Sequence, residues 1–262
     1  MVNEMSFKGK TVLITGAAGT LGSAVAKKFF NEGSNLALVD SNIEALEQSA
    51  SKAGFGNRAL LLQADVTDEC QVFNYVKETV SKFGAIDVFH NNAGITGSRV
   101  SITNIDYDFF KKLMNVNVFG VFLGLKHVLP QMYEQNYGVV INTASHKGRL
   151  AARNSADYAA SKSAVIMLTK VAALEAAGFN VRVNAIMPGI VHSPMIVENR
   201  KKLKPGISEK EIERDIAGSL PLGRWCEPEE VANMVRFLAS DEASYLTGTE
   251  LRLDGGSTAA YY

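Results

Sequence analysis

Short, continuously apolar runs alternate along this chain with stretches whose apolar residues recur every third or fourth position. KTVLITG (10–16) is apolar and β-branched and ends in glycine, the mark of a strand buried on both faces. After it, Leu21, Val25 and Phe29 trace one stripe of a helix that stops at Gly33. NLALVD (35–40) predicts a second strand, NIEALEQSASKA (42–53) a helix and ALLLQAD (59–65) a third strand. The alternation continues with a helix over 69–83, a strand IDVFHN (86–91) and a long helical stretch LMNVNVFGVFLGLKHVLPQMYEQN (113–136). Then come a strand GVVINTAS (138–145), a helix DYAASKSAVIMLTKVAALEAA (157–177), a strand NVRVNAIMPG (180–189) and a last strand GTELRLDGG (248–256). Seven strands interleaved with helices predict a doubly wound α/β fold, a mainly parallel seven-stranded sheet covered on both faces. No linker-like tract and no internal repeat divides the 262 residues, so a single domain over 1–262 is expected.

Composition narrows the function classes. Apolar residues make up 47% of the chain, ample for a core. The 27 basic residues balance 27 acidic ones, which argues against nucleic acid or an anionic membrane as a partner. No apolar run approaches a membrane span, and MVNEMSFKGK has no signal-peptide apolar region, so a cytoplasmic protein is expected. Cys70 and Cys226 are isolated thiols, and His90, His127, His146 and His192 are scattered, so no metal site is expected.

The chemistry begins at TGAAGTLG (15–22), between the first strand and the first helix. Gly16, Gly19 and Gly22 let backbone approach a diphosphate, and Thr20 and Leu21 open the helix whose N-terminus offers free amides. The loop lacks the Lys-Ser/Thr ending of a Walker-type nucleotide loop. Asp40 closes the second strand 18 residues past Gly22, where a dinucleotide fold places the acid that accepts hydrogen bonds from the adenosine ribose. Helix capping is the alternative for Asp40. A carboxylate there repels a 2′-phosphate, which favours NAD over NADP. Tyr158 and Lys162 in SADYAASK lie four residues apart and share one helix face. A phenol near ~10 and an ammonium near ~10.4 are of little use apart; about 5 Å apart, the lysine is expected to bring the phenol toward ~8. Taken singly, such a pair is also a common surface feature, Ser145 an ordinary cap and Asn117 a turn residue.

With these residues in place the sequence resembles the short-chain dehydrogenase/reductase family over essentially its whole length. The glycine motif stands as TGAAGTLG, the NNAG motif as Asn91-Asn92-Ala93-Gly94, the asparagine of NVNVFG as Asn117, the serine as Ser145, YxxxK as Tyr158 and Lys162, and the post-strand PG as Pro188-Gly189. One departure is visible: Thr20 stands where the family usually has glycine, with Gly19 one position early. The resemblance implies that Tyr158 is the acid/base toward an alcohol or ketone, that Lys162 lowers its pKa and holds the nicotinamide ribose, that Ser145 holds the substrate oxygen, and that Asn117 supports a water leading to solvent. It further implies cofactor contacts from Thr15, Val66, Asn91, Ala93, Gly94, Pro188, Gly189, Ile190 and Ser193, and an adenine contact from Asp65. It implies a substrate lid over about 192–225, with Met195, Ile196, Leu220 and Trp225 as candidate pocket walls, and a homotetramer. Within the family the chain is similar to NAD-dependent cyclic-ketone reductases and polyol dehydrogenases. The alternatives are a 3-oxoacyl-carrier-protein-type reductase and a catalytically silent NAD-binding regulatory protein. His146, Lys147, Arg149 and Arg153 follow Ser145 closely and would suit an anionic or polyhydroxylated substrate, or plain surface charge.

Overall fold

All five residues of the first strand, β1 (Thr11–Thr15), are buried, as a run of β-branched and apolar side chains packed from both sides must be. In the computed structural model, which describes residues 7–259, β1 is followed by α1 (Thr20–Asn31), β2 (Asn35–Asp40), α2 (Ile43–Ala53), β3 (Ala59–Gln63), α3 (Glu69–Phe83) and β4 (Val88–Asn91). Then come α4 (Tyr107–Met114), α5 (Gly120–Gln135), β5 (Gly138–Thr143), α6 (Ala156–Ala176), β6 (Val181–Pro188), α7 (Pro194–Leu203), α8 (Glu209–Ala217), α9 (Pro228–Ala239) and β7 (Glu250–Leu253). The seven strands form one sheet in the order β3-β2-β1-β4-β5-β6-β7, and every neighbouring pair is parallel.

Two apolar layers sandwich the sheet. One gathers Val72, Tyr75 and Val76 of α3, Val121, Leu125 and Val128 of α5, and Val165, Ile166 and Ala173 of α6. The other gathers Val25 and Phe29 of α1, Leu46 of α2, and Val231, Val235 and Leu238 of α9. The pattern reading assigns no helix at α9. Its start is set by a capping box between Glu227 and Glu230 with Pro228 in the first turn.

The long helical stretch is continuous from Tyr107 to Gln135 but irregular. A π-turn (Asn115–Phe119) joins α4 to α5, and Pro130 lies inside α5. In length and apolar composition this 29-residue run would suffice to cross a bilayer, contrary to the expectation from the sequence, yet half of its most apolar window is buried within the protein.

Candidate active site

Strand order reverses between β1 and β4, and such a switch point opens a crevice at the C-terminal strand ends. The glycine loop occupies it. Gly16 takes φ +65°, and a Cβ there would lie 3.0 Å from Ala93 Cα. At Gly22 a Cβ would fall 2.2 Å from the Gly16 carbonyl oxygen, so loop and helix touch where only hydrogen fits. Helix α1 has Gly19 at its cap, no side chain bonded to its first amides and no acid in its first turn. The amides of Thr20, Leu21 and Gly22 therefore lack intrahelical partners and form the positive end of the helix dipole. That chemistry fits a diphosphate. The departure at Thr20 leaves the turn closed: Gly19 donates its amide to Gly16 O at 3.2 Å, and Ser23 Oγ donates to Thr20 O at 3.2 Å.

Asp40 ends β2 beside this loop. Its Oδ2 accepts from the Ala18 amide at 3.0 Å and its Oδ1 from the Asn42 amide at 3.1 Å. The helix cap belongs to Asn42 instead, whose side chain accepts from the Ala45 amide. Asp65 is exposed past β3 and accepts from the amide and hydroxyl of Thr67, both at 2.8 Å. Val66 is buried against Gly120, where a Cβ would come 2.8 Å from Val66 Cγ2.

The loop after β4 is tied to β1 through Asn92, a residue the sequence left without a role. Thr15 Oγ1 accepts from the amides of Asn92 and Ala93, while Asn92 Nδ2 donates to Thr15 O at 3.0 Å and to Gly16 O at 3.4 Å. Thr143 Oγ1 then donates to Asn92 Oδ1 at 3.2 Å, which leaves the threonine oxygen to accept from His90 Nε2 at 3.0 Å. His90 is thereby assigned the Nε2–H tautomer, its buried Nδ1 without a partner. Burial pushes its pKa down to about 3. The side chain of Asn91 turns to α5 and donates to Val121 O at 3.0 Å.

Lys162, Asn117, Tyr158 and Ser145 gather at the ends of β4 and β5. Lys162 is buried, 4% exposed, and its Nζ donates to Thr143 O at 2.7 Å. A Cβ at Gly94 would lie 3.2 Å from Asn117 Oδ1 and 3.5 Å from Lys162 Nζ, so the three meet. The π-turn carries Asn117 inward, and π-turns recur at functional sites. Its amide clamps Ile95 from both sides, accepting from Ile95 N at 2.8 Å and donating to Ile95 O at 3.0 Å, and donates to Ser161 Oγ at 3.2 Å. Ser145 caps a short 3₁₀ turn through the Lys147 amide and makes a long 3.5 Å bond to Pro188 O.

The electrostatics differ from the expectation drawn from spacing. Burial raises the Tyr158 phenol above its ordinary value, and a hydrogen bond with Ser145 and the charge of Arg99 pull the other way. The Lys162 ammonium sits 5.7 Å from the Tyr158 ring centroid but bonds to Thr143 O; burial brings its own pKa down to about 8. Spacing predicts a shared face; it does not encode the cost of desolvating either charge.

Past β6, a Cβ on Gly189 would approach Asp254 Cα to 2.9 Å, and Ile190 O accepts from the Cys226 amide. Ser193 caps α7 through the Ile196 amide at 3.3 Å. Helices α7 and α8 share a separate apolar cluster of Val197, Ile212, Ile216, Leu220 and Trp225, with Ile196 packed on it. Leu220 and Trp225 thus serve this segment's own core; the Met195 side chain lies outside the described residues. Of the cations after Ser145, Arg149 is paired with Glu250, His146 Nδ1 meets Pro188 O at 3.1 Å, Lys147 donates to Ser155 Oγ at 2.9 Å, and Arg153 is exposed.

Comparison with known proteins agrees with this geometry. A family profile described as enoyl-(acyl carrier protein) reductase matches residues 16–258. Levodione reductase of Leifsonia aquatica is 43% identical over 260 residues, covering 97% of this chain and 96% of that protein. A 3-oxoacyl-acyl-carrier-protein reductase of Thermotoga maritima is 39% identical over 96% of this chain and 99% of that protein. Among solved structures, levodione reductase superposes with a TM-score of 0.92 at 41% identity, covering 97% of this chain and all of that one. NAD+-bound xylitol dehydrogenase superposes with a TM-score of 0.89 at 38% identity, over 95% of this chain and 99% of that one. The parallel sheet, the glycine loop at its switch point and these full-length likenesses place the chain in the short-chain dehydrogenase/reductase family, whose members are oxidoreductases that typically use a nicotinamide cofactor.

Proposed function

We propose that this oxidoreductase uses NAD(H) to interconvert a secondary alcohol and a ketone, with cyclic ketones and polyols the first classes to try. The observation that carries the reading is the convergence of Tyr158, Ser145, Lys162 and Asn117 beside the glycine loop. The loop amides of Thr20, Leu21 and Gly22 would hold the diphosphate and Asp40 the adenosine ribose, with Asp65 and Val66 toward the adenine. Thr15, Asn91, Ala93, Gly94, Pro188, Gly189, Ile190 and Ser193 would line the nicotinamide half. When bound, the nicotinamide ring supplies or accepts the hydride.

The chain's own residues handle the proton. A phenol held above its ordinary pKa is protonated at neutral pH and suits donation from Tyr158 Oη to a ketone oxygen, while Ser145 Oγ orients that oxygen. In the reverse direction the Ser145 hydrogen bond and the Arg99 charge favour the phenolate needed as base. Lys162, with a pKa of about 8, passes a proton near neutrality, and Asn117 fixes the Ile95 backbone beside it. Helices α7 and α8, joined to the sheet through residues 189–193, act as the lid.

Exposed Phe119 of the π-turn, exposed Phe122 of α5 and exposed Met167, Val171 and Leu174 of α6 give these helices apolar outer faces, which supports assembly through them into a homotetramer. Ketone-dependent oxidation of NADH is the direct test. Tyr158→Phe should abolish turnover in both directions while NADH still binds, read by its fluorescence; substantial turnover by this variant refutes the acid/base assignment. A silent NAD-binding regulator would bind NADH and oxidise none with any ketone.

A further inference from the structure

Two cations near the start of α6, Arg99 on the loop after β4 and Lys147 after β5, stand without a carboxylate partner. Gly97 lies against the start of α6, where a Cβ would come 2.8 Å from Tyr158 Cβ and 2.6 Å from Asp157 Oδ1. The Ser98 amide donates to Asp157 Oδ2 at 2.7 Å. Arg99 follows directly and is exposed, with its backbone at φ +61°, a region that non-glycine residues rarely occupy, and its charge acts on the Tyr158 phenol. Lys147, half-buried after β5, donates its Nζ at 2.9 Å to the neutral hydroxyl of Ser155, which shortly precedes Tyr158.

Neighbouring cations are neutralised. Arg149 and Lys170 share Glu250, and His146 is held below its ordinary pKa by burial. Among the described residues neither Arg99 nor Lys147 forms an ion pair. The acid nearby is Asp157; it is buried, and its two oxygens already accept from the Ser98 and Tyr158 amides. Burial lowers the Lys147 ammonium first, and the Arg99 charge lowers it further, against the opposing pull of Asp157. Two like charges without a counter-ion favour an anion placed within reach of both.

We propose that Arg99 and Lys147 form an anion subsite and that the preferred substrate is a ketone or secondary alcohol carrying a carboxylate. This rests on the alcohol/ketone reading above and deepens it. Arg99 would grip the carboxylate through its planar fork and Lys147 as a point charge, fixing which end of the substrate lies away from Tyr158.

The test compares keto acids with their size-matched neutral amides as substrates for NADH oxidation. The wild type should give the higher kcat/KM with the acid, and the acid-over-amide ratio should fall roughly 10- to 100-fold in Lys147→Met and in Arg99→Asn, the magnitude of losing one charged hydrogen bond. Asparagine tolerates the left-handed backbone at position 99. Arg149→Met, which removes a cation paired elsewhere, should leave the ratio as in the wild type. A wild type that turns over amides as well as acids, or variants that lose both substrates in proportion, overturns the subsite while leaving the oxidoreductase reading intact. That reading fails separately, if neither acid nor amide oxidises NADH. Greater activity with phosphate- or sulfonate-bearing ketones than with keto acids would overturn the assignment to carboxylate.

Discussion

Replacing Lys162 by methionine should change how the stability of the cofactor-free protein depends on pH. The ammonium is buried and its pKa falls from 10.5 to about 8 on folding. The folded state therefore holds fewer protons than the unfolded chain between about pH 8 and pH 10.5, and in that window stability rises with pH. At 1.36 kcal/mol per unit, the charged lysine destabilises the fold by roughly 3 kcal/mol near pH 7, falling to roughly 1 kcal/mol by about pH 9.5. Methionine brings its own constant offset, from packing and from the lost bond to Thr143 O. The pH-dependent part survives that offset. Cys226, whose thiol burial pushes up to about 12, contributes with the opposite sign but equally to both proteins. Urea denaturation of the two proteins at matched concentration, near pH 7 and about pH 9.5, should therefore show the wild type gaining about 2 kcal/mol on Lys162→Met. Parallel stability curves across that range would refute a lysine desolvated in the fold.

Three further expectations can be checked independently. The wild type should prefer NADH over NADPH by a factor of hundreds, about 3–4 kcal/mol in transition-state terms, and Asp40→Ala should shrink that ratio while raising both KM values, because the Ala18 amide loses its acceptor; equal use of both cofactors by the wild type sinks the ribose role. Gly22→Ala places a Cβ 2.2 Å from backbone oxygen and should cost about 1–3 kcal/mol and most NADH affinity, whereas Gly178→Ala, in open space, should cost neither; calorimetry that finds Gly22→Ala tolerated would contradict the packed loop. Leu174→Glu, at a position 82% exposed in the single chain, should dissociate the assembly in sedimentation without unfolding it, and an unchanged assembly rules out that face.

Much of this was legible in the residue pattern for a physical reason. A parallel strand buried on both faces has to be continuously apolar, so TVLIT and NLALVD declare themselves, whereas β3 and β7 are half-covered and end two or more residues inside the predicted runs. Helix α9 escaped because its cap is a Glu rather than a Ser, Thr, Asp or Asn and it follows a charged segment. Arg99 escaped entirely: nothing in ITGSRVS announces that Gly97 will pack against Tyr158 and Ser98 bond Asp157, which brings the charge of Arg99 within reach of the phenol. The Tyr158 titration went astray because spacing along a helix fixes direction but not dielectric.

The least legible feature is the one that joins the halves of the site. The register Ile14↔His90 and His90↔Ile141 brings β1, β4 and β5 abreast, and only that alignment lets His90, Thr143 and Asn92 bond in series. Every donor in the series is satisfied: His90 Nε2–H by Thr143, the Thr143 hydroxyl by Asn92, and the Asn92 Nδ2 amide by the backbone oxygens of Thr15 and Gly16. A single proton order follows, because Asn92 cannot reverse its amide without facing a donor on one side and an acceptor on the other wrongly. Thr143 also supplies the carbonyl that anchors Lys162. The glycine loop that would hold a diphosphate and the lysine that would serve the proton step are thus set against each other by the two ends of one threonine, and a neutral buried histidine keeps that threonine's hydroxyl turned toward the loop.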